Sequence, residues 1–449
     1  MGWVRTALSI YALTLAALPA VAAEPSPPPP YVVLGAQGPV ARAVIPVSPA
    51  GPALACPAIV VDGTEQKMSL RATPDVAFPV LVCEFLLPAS AKKAIIGGQE
   101  LPLPPAAINS IAVFGDTGCR LKAEKSAALA ARDTQEADEV EEEGKFQDCN
   151  EVKDWPFAPM SETIAKAKPN LVVHVGDYYY RESPCPPGDK GCQGSPHGDN
   201  WDSWVADFFA PAAPLLKVAP WIVVRGNHEN CERGGVGYAR LLDPSPATGP
   251  QPACVEMMDQ YTVTAGGRAF IVLDSSNADD ECSKTGCKSA TYAAQFAAMK
   301  PGAGTWLVTH RPIWGFTNSK DKSGERKLAI RNMTLQAALA PWNGQPPKGI
   351  DLVLSGHIHL WEALSFADGR SPQFVLGAGS TELAHKITED LEGQPIGGTT
   401  IAAATTEHHF GYTIFAPKDT HWDATFYETD GTPKYICKVE PTQVTCKKA

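Results

Sequence analysis

The chain reads Ile111-Ala112-Val113-Phe114-Gly115-Asp116-Thr117-Gly118, an apolar run of strand type that ends in a turn with a carboxylate. Four further short apolar runs, at 171–175, 221–224, 306–308 and 352–354, precede the polar clusters Gly176-Asp177 through Tyr180, Gly226-Asn227-His228-Glu229, Thr309-His310-Arg311 and Gly356-His357-Ile358-His359. Ends of neighbouring strands lie together, so oxygen and imidazole donors from all five segments can converge. A single Gly-Asp pair after a strand is usually only a turn, but five such clusters predict one binuclear metal site.

The alternation of strand-like and helical segments indicates an α/β fold. From about residue 107 onward, apolar runs alternate with the helical patterns 161–168, 200–209 and 327–339. Towards the end, residues 374–376, 412–415, 424–427 and 435–438 form strand-like runs without intervening helices. We therefore expect residues 107–449 to form one catalytic domain, a layered mixed β-sheet with flanking helices.

The N-terminal third has a different composition. Residues 31–105 contain short β-branched runs broken by Gly and Pro, which predicts a small β domain, and residues 24–30 are a Pro-rich spacer. Residues 1–23 have the plan of a secretory signal peptide, with Arg5, an apolar stretch and a small-residue cleavage region. The apolar stretch is shorter than the roughly 20 residues that span a bilayer, so we expect a secreted or periplasmic protein without a stable membrane anchor. A retained N-terminal anchor is the alternative.

Twelve cysteines behind a secretory signal predict disulfide bonds, because exported chains fold in an oxidising compartment. A zinc–thiolate site is the alternative, but the chain has no Cys-x-x-Cys pair. The overall connectivity stays open. Four close pairs could close loops: Cys56/Cys83, Cys185/Cys192, Cys282/Cys287 and Cys437/Cys446.

The formal net charge of −11 disfavours nucleic acid as a partner. It does not exclude a phosphate ester, because two bound cations make a pocket locally positive. The charge therefore leaves a small-molecule phosphate ester open as the partner, and the oligomeric state is not predicted.

The five clusters resemble, in type and order, those of the calcineurin-like metallophosphoesterase superfamily and, within it, the purple acid phosphatases. The resemblance covers about residues 107–418. It implies two metal ions bridged by Asp177. By the same resemblance, the first ion is held by Asp116, Asp177, Tyr180 and His359, and the second by Asp177, Asn227, His310 and His357.

Position 118 identifies the subgroup. Many superfamily members have His there, whereas Gly118 offers no side-chain donor, and Tyr180 supplies a phenolate instead. A phenolate suits a hard trivalent ion, so the resemblance implies Fe(III) at the first position and a divalent ion (Fe, Zn or Mn) at the second.

The resemblance implies an exported acid phosphatase that hydrolyses phosphomonoesters by attack of a metal-bound hydroxide. His228 follows the ligand Asn227 and is the expected proton donor. Arg311, His408 and His409 are weaker candidates near the site. Two alternatives remain: a phosphodiesterase or nucleotide pyrophosphatase on the same metals, and a non-catalytic metal-loaded binding protein, which would be expected to have lost a ligand.

Overall fold

The computed structural model describes residues 27–47, 55–123, 144–247, 249–282, 287–320 and 325–449. The predicted signal peptide and most of the Pro-rich spacer lie outside these residues. Among the described helices, none is long and apolar enough to cross a bilayer.

The first large sheet contains eleven strands in the described residues. Its four central strands, β9, β12, β13 and β1, are parallel, and the strands on both flanks are antiparallel. In spatial order the strands are β27 (Gln443–Lys448), β26 (Pro433–Glu440), β25 (Trp422–Glu428), β24 (Gly411–Pro417), β9 (Ile111–Phe114), β12 (Leu171–His174), β13 (Trp221–Val223), β1 (Tyr31–Gly35), β2 (Gly38–Pro46), β6 (Val80–Leu86) and β5 (Ser69–Ala72).

In the part of the chain that the structure describes, the second large sheet contains eight strands, of which four neighbouring ones are parallel: Arg268–Leu273, Thr305–Thr309, Ile350–Ser355 and Gln373–Leu376. In spatial order they are β14 (Tyr261–Ala265), β15 (Arg268–Leu273), β16 (Thr305–Thr309), β19 (Ile350–Ser355), β21 (Gln373–Leu376), β20 (Trp361–Phe366), β23 (Thr399–Glu407) and β22 (Pro395–Ile396). The predicted mixed sheet is thus present twice.

Three small sheets complete the described strands. Two of them are antiparallel pairs, β10 (Leu121–Lys122) with β11 (Lys145–Phe146) and β17 (Phe316–Lys320) with β18 (Arg326–Ile330). The third has the order β4 (Thr64–Lys67), β3 (Ala58–Val61), β7 (Ala94–Ile96), β8 (Gln99–Glu100).

The two large sheets pack face to face around the main core. Ile111 and Val113 of the first sheet share one buried cluster with Val308 of the second, and the rings of Trp306 and Phe415 lie 5.3 Å apart across the interface. Successive strand residues point to opposite faces, so the alternate residues Ala112 and Phe114 form a second cluster on the outer face.

Helices cover both outer faces, which gives four layers. Over the first sheet lie α1 (Phe157–Ala167), α2 (Trp201–Trp204), a π-helix (Val205–Phe209), α3 (Ala210–Leu216) and α4 (Gly235–Leu241). Over the second lie α5 (Ser289–Ala298) and α6 (Met333–Ala338). Short 3₁₀ turns occupy Asn227–Glu229 and Ala340–Trp342. The predicted α/β fold class is confirmed.

The helix predicted at 327–339 is wrong in its first half. Residues up to Ile330 form β18, which pairs with β17 in the register Phe316↔Ile330. Asn332 then adopts a left-handed backbone with φ of 62°, and its side chain accepts a hydrogen bond of 2.7 Å from Leu335 N. This capped turn starts α6, so the helix begins only at Met333.

The N-terminal region is divided between two sheets. Strand β1 lies parallel to β13, with Val33 opposite Trp221, and β2, β6 and β5 extend the first large sheet from it. Strands β3, β4, β7 and β8 form their own sheet. The domain boundary near residue 105 stays a prediction.

Six disulfide bonds join all twelve cysteines, so the zinc–thiolate alternative is wrong. The four close pairs are confirmed. The two further bonds are Cys119–Cys149 and Cys231–Cys254, next to two of the polar clusters.

Candidate metal centre

The five polar clusters meet where the parallel strands of the two large sheets end. Two groups of three side chains form there, and within each group one ligand atom per residue lies within 4.8 Å of the others. One group is Asp116, Asp177 and His359, and the other is Asp177, His310 and His357. Asp177 belongs to both groups, which is the position a bridging carboxylate requires.

Tyr180 completes the first group. Its Oη lies 2.7 Å from Asp177 Oδ2, 3.2 Å from Asp116 Oδ1 and 2.8 Å from His359 Nε2. One hydroxyl proton cannot serve three acceptors at once, so this crowding of oxygen and nitrogen lone pairs suits a bound cation. The residues therefore fit a metal ion at this position.

Asn227 completes the second group. His310 Nε2 lies 2.9 Å from Asn227 Oδ1 and 3.2 Å from Asp177 Oδ2. His310 Nδ1 donates to the Val175 carbonyl at 2.8 Å, and His359 Nδ1 donates to the Glu382 carbonyl at 2.7 Å. Because a carbonyl oxygen only accepts, both Nδ1 atoms carry a proton, and Nε2 is in each ring the nitrogen that can bind a metal.

Three of these residues have an unusual backbone. Asp116, Asp177 and His357 have φ values of 57°, 58° and 70°, in the left-handed region that non-glycine residues seldom adopt. Such conformations cost of order 1–3 kcal/mol each and persist where the surroundings fix them. The backbone thus holds the three side chains at the ends of their strands at a cost in stability.

Two buried carboxylates fix the loop that carries Asp177 and Tyr180. Glu229 accepts hydrogen bonds from the backbone N–H groups of Asp177, Tyr178, Tyr179 and Gly226. Asp207, in the π-helix, accepts from the backbone N–H groups of Cys119, Tyr180 and Arg181 and from Arg181 Nε. Sequence reasoning placed Glu229 in its cluster without a role and missed Asp207, which has no motif around it.

Gly118 leaves no room for a side chain. A Cβ atom there would lie 2.8 Å from Tyr180 N and 2.9 Å from both Tyr178 O and Tyr180 Cδ2. The Tyr180 segment therefore occupies the space that a histidine at position 118 would need. Position 118 can therefore carry no side-chain donor as long as Tyr180 is in this place, so the two positions depend on each other.

The charges at the centre shift several pKa values. Burial alone would raise the pKa of Asp177, but His310 and His228 outweigh it and hold the pKa well below its usual range. Burial alone would lower the pKa of His310, but Asp177 raises it to about 9. Burial, reinforced by Asp177 and Asp116, raises the pKa of Tyr180 well above its ordinary value. Tyr180 is therefore a neutral phenol near neutral pH unless a bound cation displaces its proton.

His228 lies beside the two groups and belongs to neither. Its ring packs on Tyr180 with centroids 3.8 Å apart, and its Nε2 is 4.0 Å from Asp177 Oδ2. Its Nδ1 lies 2.6 Å from Glu182 Oε1, a contact that sequence reasoning did not find. Burial alone would lower the pKa of His228, but the charges of Asp177 and Glu182 raise it above its ordinary value.

Of the three weaker candidates, Arg311 lies near the metal groups, and His408 and His409 do not. Arg311 lies at the centre, with Nη1 3.2 Å from His357 Nε2. His409 is 55% exposed and contacts Glu407 at 2.6 Å, and neither His408 nor His409 lines the cavity in front of the metal groups.

A cavity of about 480 Å³ opens in front of both groups. Strands β17 and β18 and residues 382–385 form much of its wall, and Asp177, Tyr180 and His228 face it. Its lining contains six Lys or Arg side chains and four Asp or Glu side chains, so it is more positive than the acidic chain as a whole. The cations are Arg120, Lys122, Lys145, Arg326, Lys327 and Arg331, and the acids are Asp177, Asp280, Glu281 and Glu382.

The family model of the calcineurin-like phosphoesterases matches residues 110–360, which include all five polar clusters. Among solved structures, PhoD is similar, with 13% identity and a TM-score of 0.51 over 95% of this chain and 94% of that one. GAP50, the anchor in the inner membrane complex of Plasmodium, is similar with 13% identity and a TM-score of 0.41 over 74% of this chain and 89% of that one. No curated protein matches the chain in sequence.

Proposed function

The chain belongs to the calcineurin-like phosphoesterase family, and from this we propose that it is an exported binuclear metal-dependent phosphatase acting on phosphomonoesters, an acid phosphatase of the purple type. The observation that supports this best is the position of Asp177, which is shared by the two groups of candidate ligands. The family fold implies hydrolysis of phosphoric esters, and the shared carboxylate suits a pair of ions.

Two ions held by these residues would activate a water molecule and neutralise the charge that builds on the phosphoryl oxygens. We assign the first to Asp116, Asp177, Tyr180 and His359, and the second to Asp177, Asn227, His310 and His357. The Tyr180 phenol favours Fe(III) at the first position, because a highly charged ion stabilises a phenolate ligand best. A divalent ion, Fe, Zn or Mn, completes the pair.

His228 is the proposed proton donor to the leaving alkoxide. Glu182 can accept a hydrogen bond from Nδ1, which orients the ring so that Nε2 lies next to Asp177. The raised pKa of His228 keeps a proton available on the ring. In this arrangement His228 holds and delivers the proton, and Glu182 positions it.

The six disulfides agree with folding in an oxidising compartment, which supports an exported protein, secreted or periplasmic. The positive cavity supports an anionic small-molecule substrate rather than nucleic acid as a partner.

A phosphodiesterase is the second candidate, because a cavity of about 480 Å³ has room for a second ester substituent. Hydrolysis of p-nitrophenyl phosphate and of bis-p-nitrophenyl phosphate should be compared, together with metal content. We expect two ions per chain and faster turnover of the monoester. A preference for the diester would favour the second candidate, and two bound ions without turnover of either ester would indicate a binding protein.

The variant Asp177→Ala tests whether Asp177 bridges the two ions. The loss of the shared carboxylate is expected to remove metal together with activity. Retention of both ions at full stoichiometry would contradict the bridging assignment.

A further inference from the structure

Asp280 is a buried carboxylate at the metal centre that no sequence motif marks. It is 7% exposed and faces the cavity in front of the two ligand groups. Its Oδ2 lies 3.0 Å from His357 Nε2. The segment that carries Asp280 lies against the start of α6, because Met333 N donates to the Asp280 carbonyl and Asn332 Nδ2 donates to the Ala278 carbonyl.

The hydrogen bond at Asp280 selects the state of the His357 ring. Two groups approach Nε2: the Asp280 carboxylate, which accepts, at 3.0 Å, and Arg311 Nη1, which donates, at 3.2 Å. Arg311 Nη1 also pairs with Asp280 Oδ2 at 3.4 Å, so we assign the shorter contact as the hydrogen bond: Nε2 donates to Asp280, and Nδ1 keeps the lone pair. His310 and His359 have the opposite arrangement, since their Nδ1 atoms donate to backbone carbonyls and Nε2 is the nitrogen left for a metal. His357 therefore needs a partner on Nε2, and within the described residues Asp280 is the carboxylate placed there.

Two arginines converge on the same oxygen. Arg311 Nη1 lies 3.4 Å and Arg331 Nη1 3.8 Å from Asp280 Oδ2. Their positive charges compensate the negative charge of the buried carboxylate. Among the described residues, Asp280 Oδ1 has no hydrogen-bond partner, so the side chain is held through Oδ2 alone.

We propose that Asp280 is a positioning residue for the second metal site: its hydrogen bond to Nε2 fixes the tautomer and orientation of His357 and leaves Nδ1 as the nitrogen that binds the ion. This inference rests on the proposed function, because it assumes that His357 is a ligand. Carboxylates hydrogen-bonded to metal-binding histidines raise metal affinity, and their loss typically weakens binding about 10–100-fold.

The test is Zn(II) binding to the Asp280→Asn variant, measured by equilibrium dialysis and metal analysis. The variant keeps the shape of the side chain and removes its charge. We expect the Kd for Zn(II) at the second site to rise about 10–100-fold while the first ion and its visible absorbance stay unchanged. Asp259→Asn, which makes the same charge change at an exposed position, should bind Zn(II) as the wild type does.

A double-variant cycle identifies the route of the effect. If Asp280 acts through His357, Asp280→Asn combined with His357→Ala should bind Zn(II) no more weakly than His357→Ala alone. Additive losses, an unchanged Zn(II) Kd in Asp280→Asn, or the loss of both ions would each overturn the proposal. If Asp280→Asn does not fold, the Kd for Zn(II) is measured on Asp280→Glu instead. That variant keeps the charge and displaces it by one methylene. Failure of the wild type to bind two ions would instead contradict the proposed function.

Discussion

At the residue scale, three consecutive tyrosines have different surroundings. Tyr180 Oη contacts Asp116, Asp177 and His359. The Tyr178 hydroxyl accepts from Val224 N and donates to the His174 carbonyl, and the Tyr179 hydroxyl donates to the Arg181 carbonyl. Only Tyr180 can offer a phenolate to a metal, so its neighbours are natural controls.

We therefore predict the colour of the protein. Phenolate bound to Fe(III) absorbs visible light by charge transfer, so aerobically purified protein should be pink to violet. Tyr180→Phe should abolish this absorbance, whereas Tyr178→Phe and Tyr179→Phe should retain it. Visible spectra and metal analysis of the four proteins provide the measurement. A colourless wild type that is fully active with zinc or manganese alone would contradict the iron assignment and leave the phosphoesterase assignment intact.

The second residue-scale prediction concerns proton donation by His228. His228→Ala should keep its metal content, and its turnover rate should fall about 10²–10⁴-fold. The loss should shrink for esters with very good leaving groups, which need little protonation. Glu182→Gln should show the same leaving-group trend with a smaller loss, because the ring keeps its place but loses the carboxylate at 2.6 Å. If turnover fell by the same factor for every ester in a series of aryl phosphates, His228 would not be the proton donor, and its role would be limited to positioning the substrate.

At the element scale, the π-helix Val205–Phe209 positions a ligand loop that it does not belong to. π-Helical turns are rare and often lie at functional sites. This one directs Asp207 towards the backbone of Tyr180 and towards Arg181 Nε, at 2.8 and 2.6 Å. Burial raises the pKa of Asp207, and the charge of Arg181 opposes that effect. The pair is buried, so removing one member leaves the other without its opposite charge.

Asp207→Ala should therefore destabilise the fold by about 3–5 kcal/mol, the usual cost of breaking a buried ion pair. It should also weaken the first metal site, because Tyr180 and Cys119 lose backbone hydrogen bonds. Asp202→Ala, at an exposed position in the adjoining α2, should change the free energy of unfolding by less than about 0.5 kcal/mol. Urea unfolding compares the two variants. Equal, small effects would mean that the π-helix does not support the loop.

The elements differ in how far the sequence predicts them. Strands β9, β12 and β16 are buried along their whole length, so they appear as continuous apolar runs that are easily recognised. The candidate ligands follow such runs, and all seven were predicted at the positions that the structure brings together. Asp207, Glu182 and Asp280 could not be found in this way, since their partners are distant in sequence and only the packing of separate segments brings them together.

At the scale of the whole molecule, the two large sheets meet at the metal centre, and disulfides fix segments close to it. Cys119 directly follows Gly118, and its bond to Cys149 tethers this turn across a separation of 30 residues. Gln147, close to Cys149, accepts from the backbone N–H groups of Arg120 and Glu382. The bond Cys437–Cys446 instead joins the edge strand β27 to its neighbour β26, across 9 residues.

The last prediction compares these two bonds. Replacing Cys119 and Cys149 together by Ser should lower the free energy of unfolding by about 3–4 kcal/mol, and the same change at Cys437 and Cys446 by about 2–3 kcal/mol, because a longer loop gains more entropy when it is released. Only the first double variant should also lose metal affinity, since only that bond holds a ligand-bearing turn. Urea unfolding of the metal-free proteins and metal titration of the folded ones separate the two effects. If both variants lost metal affinity equally, the affinity would depend on the overall stability of the protein. The disulfide at Cys119 would then have no local effect on the metal centre.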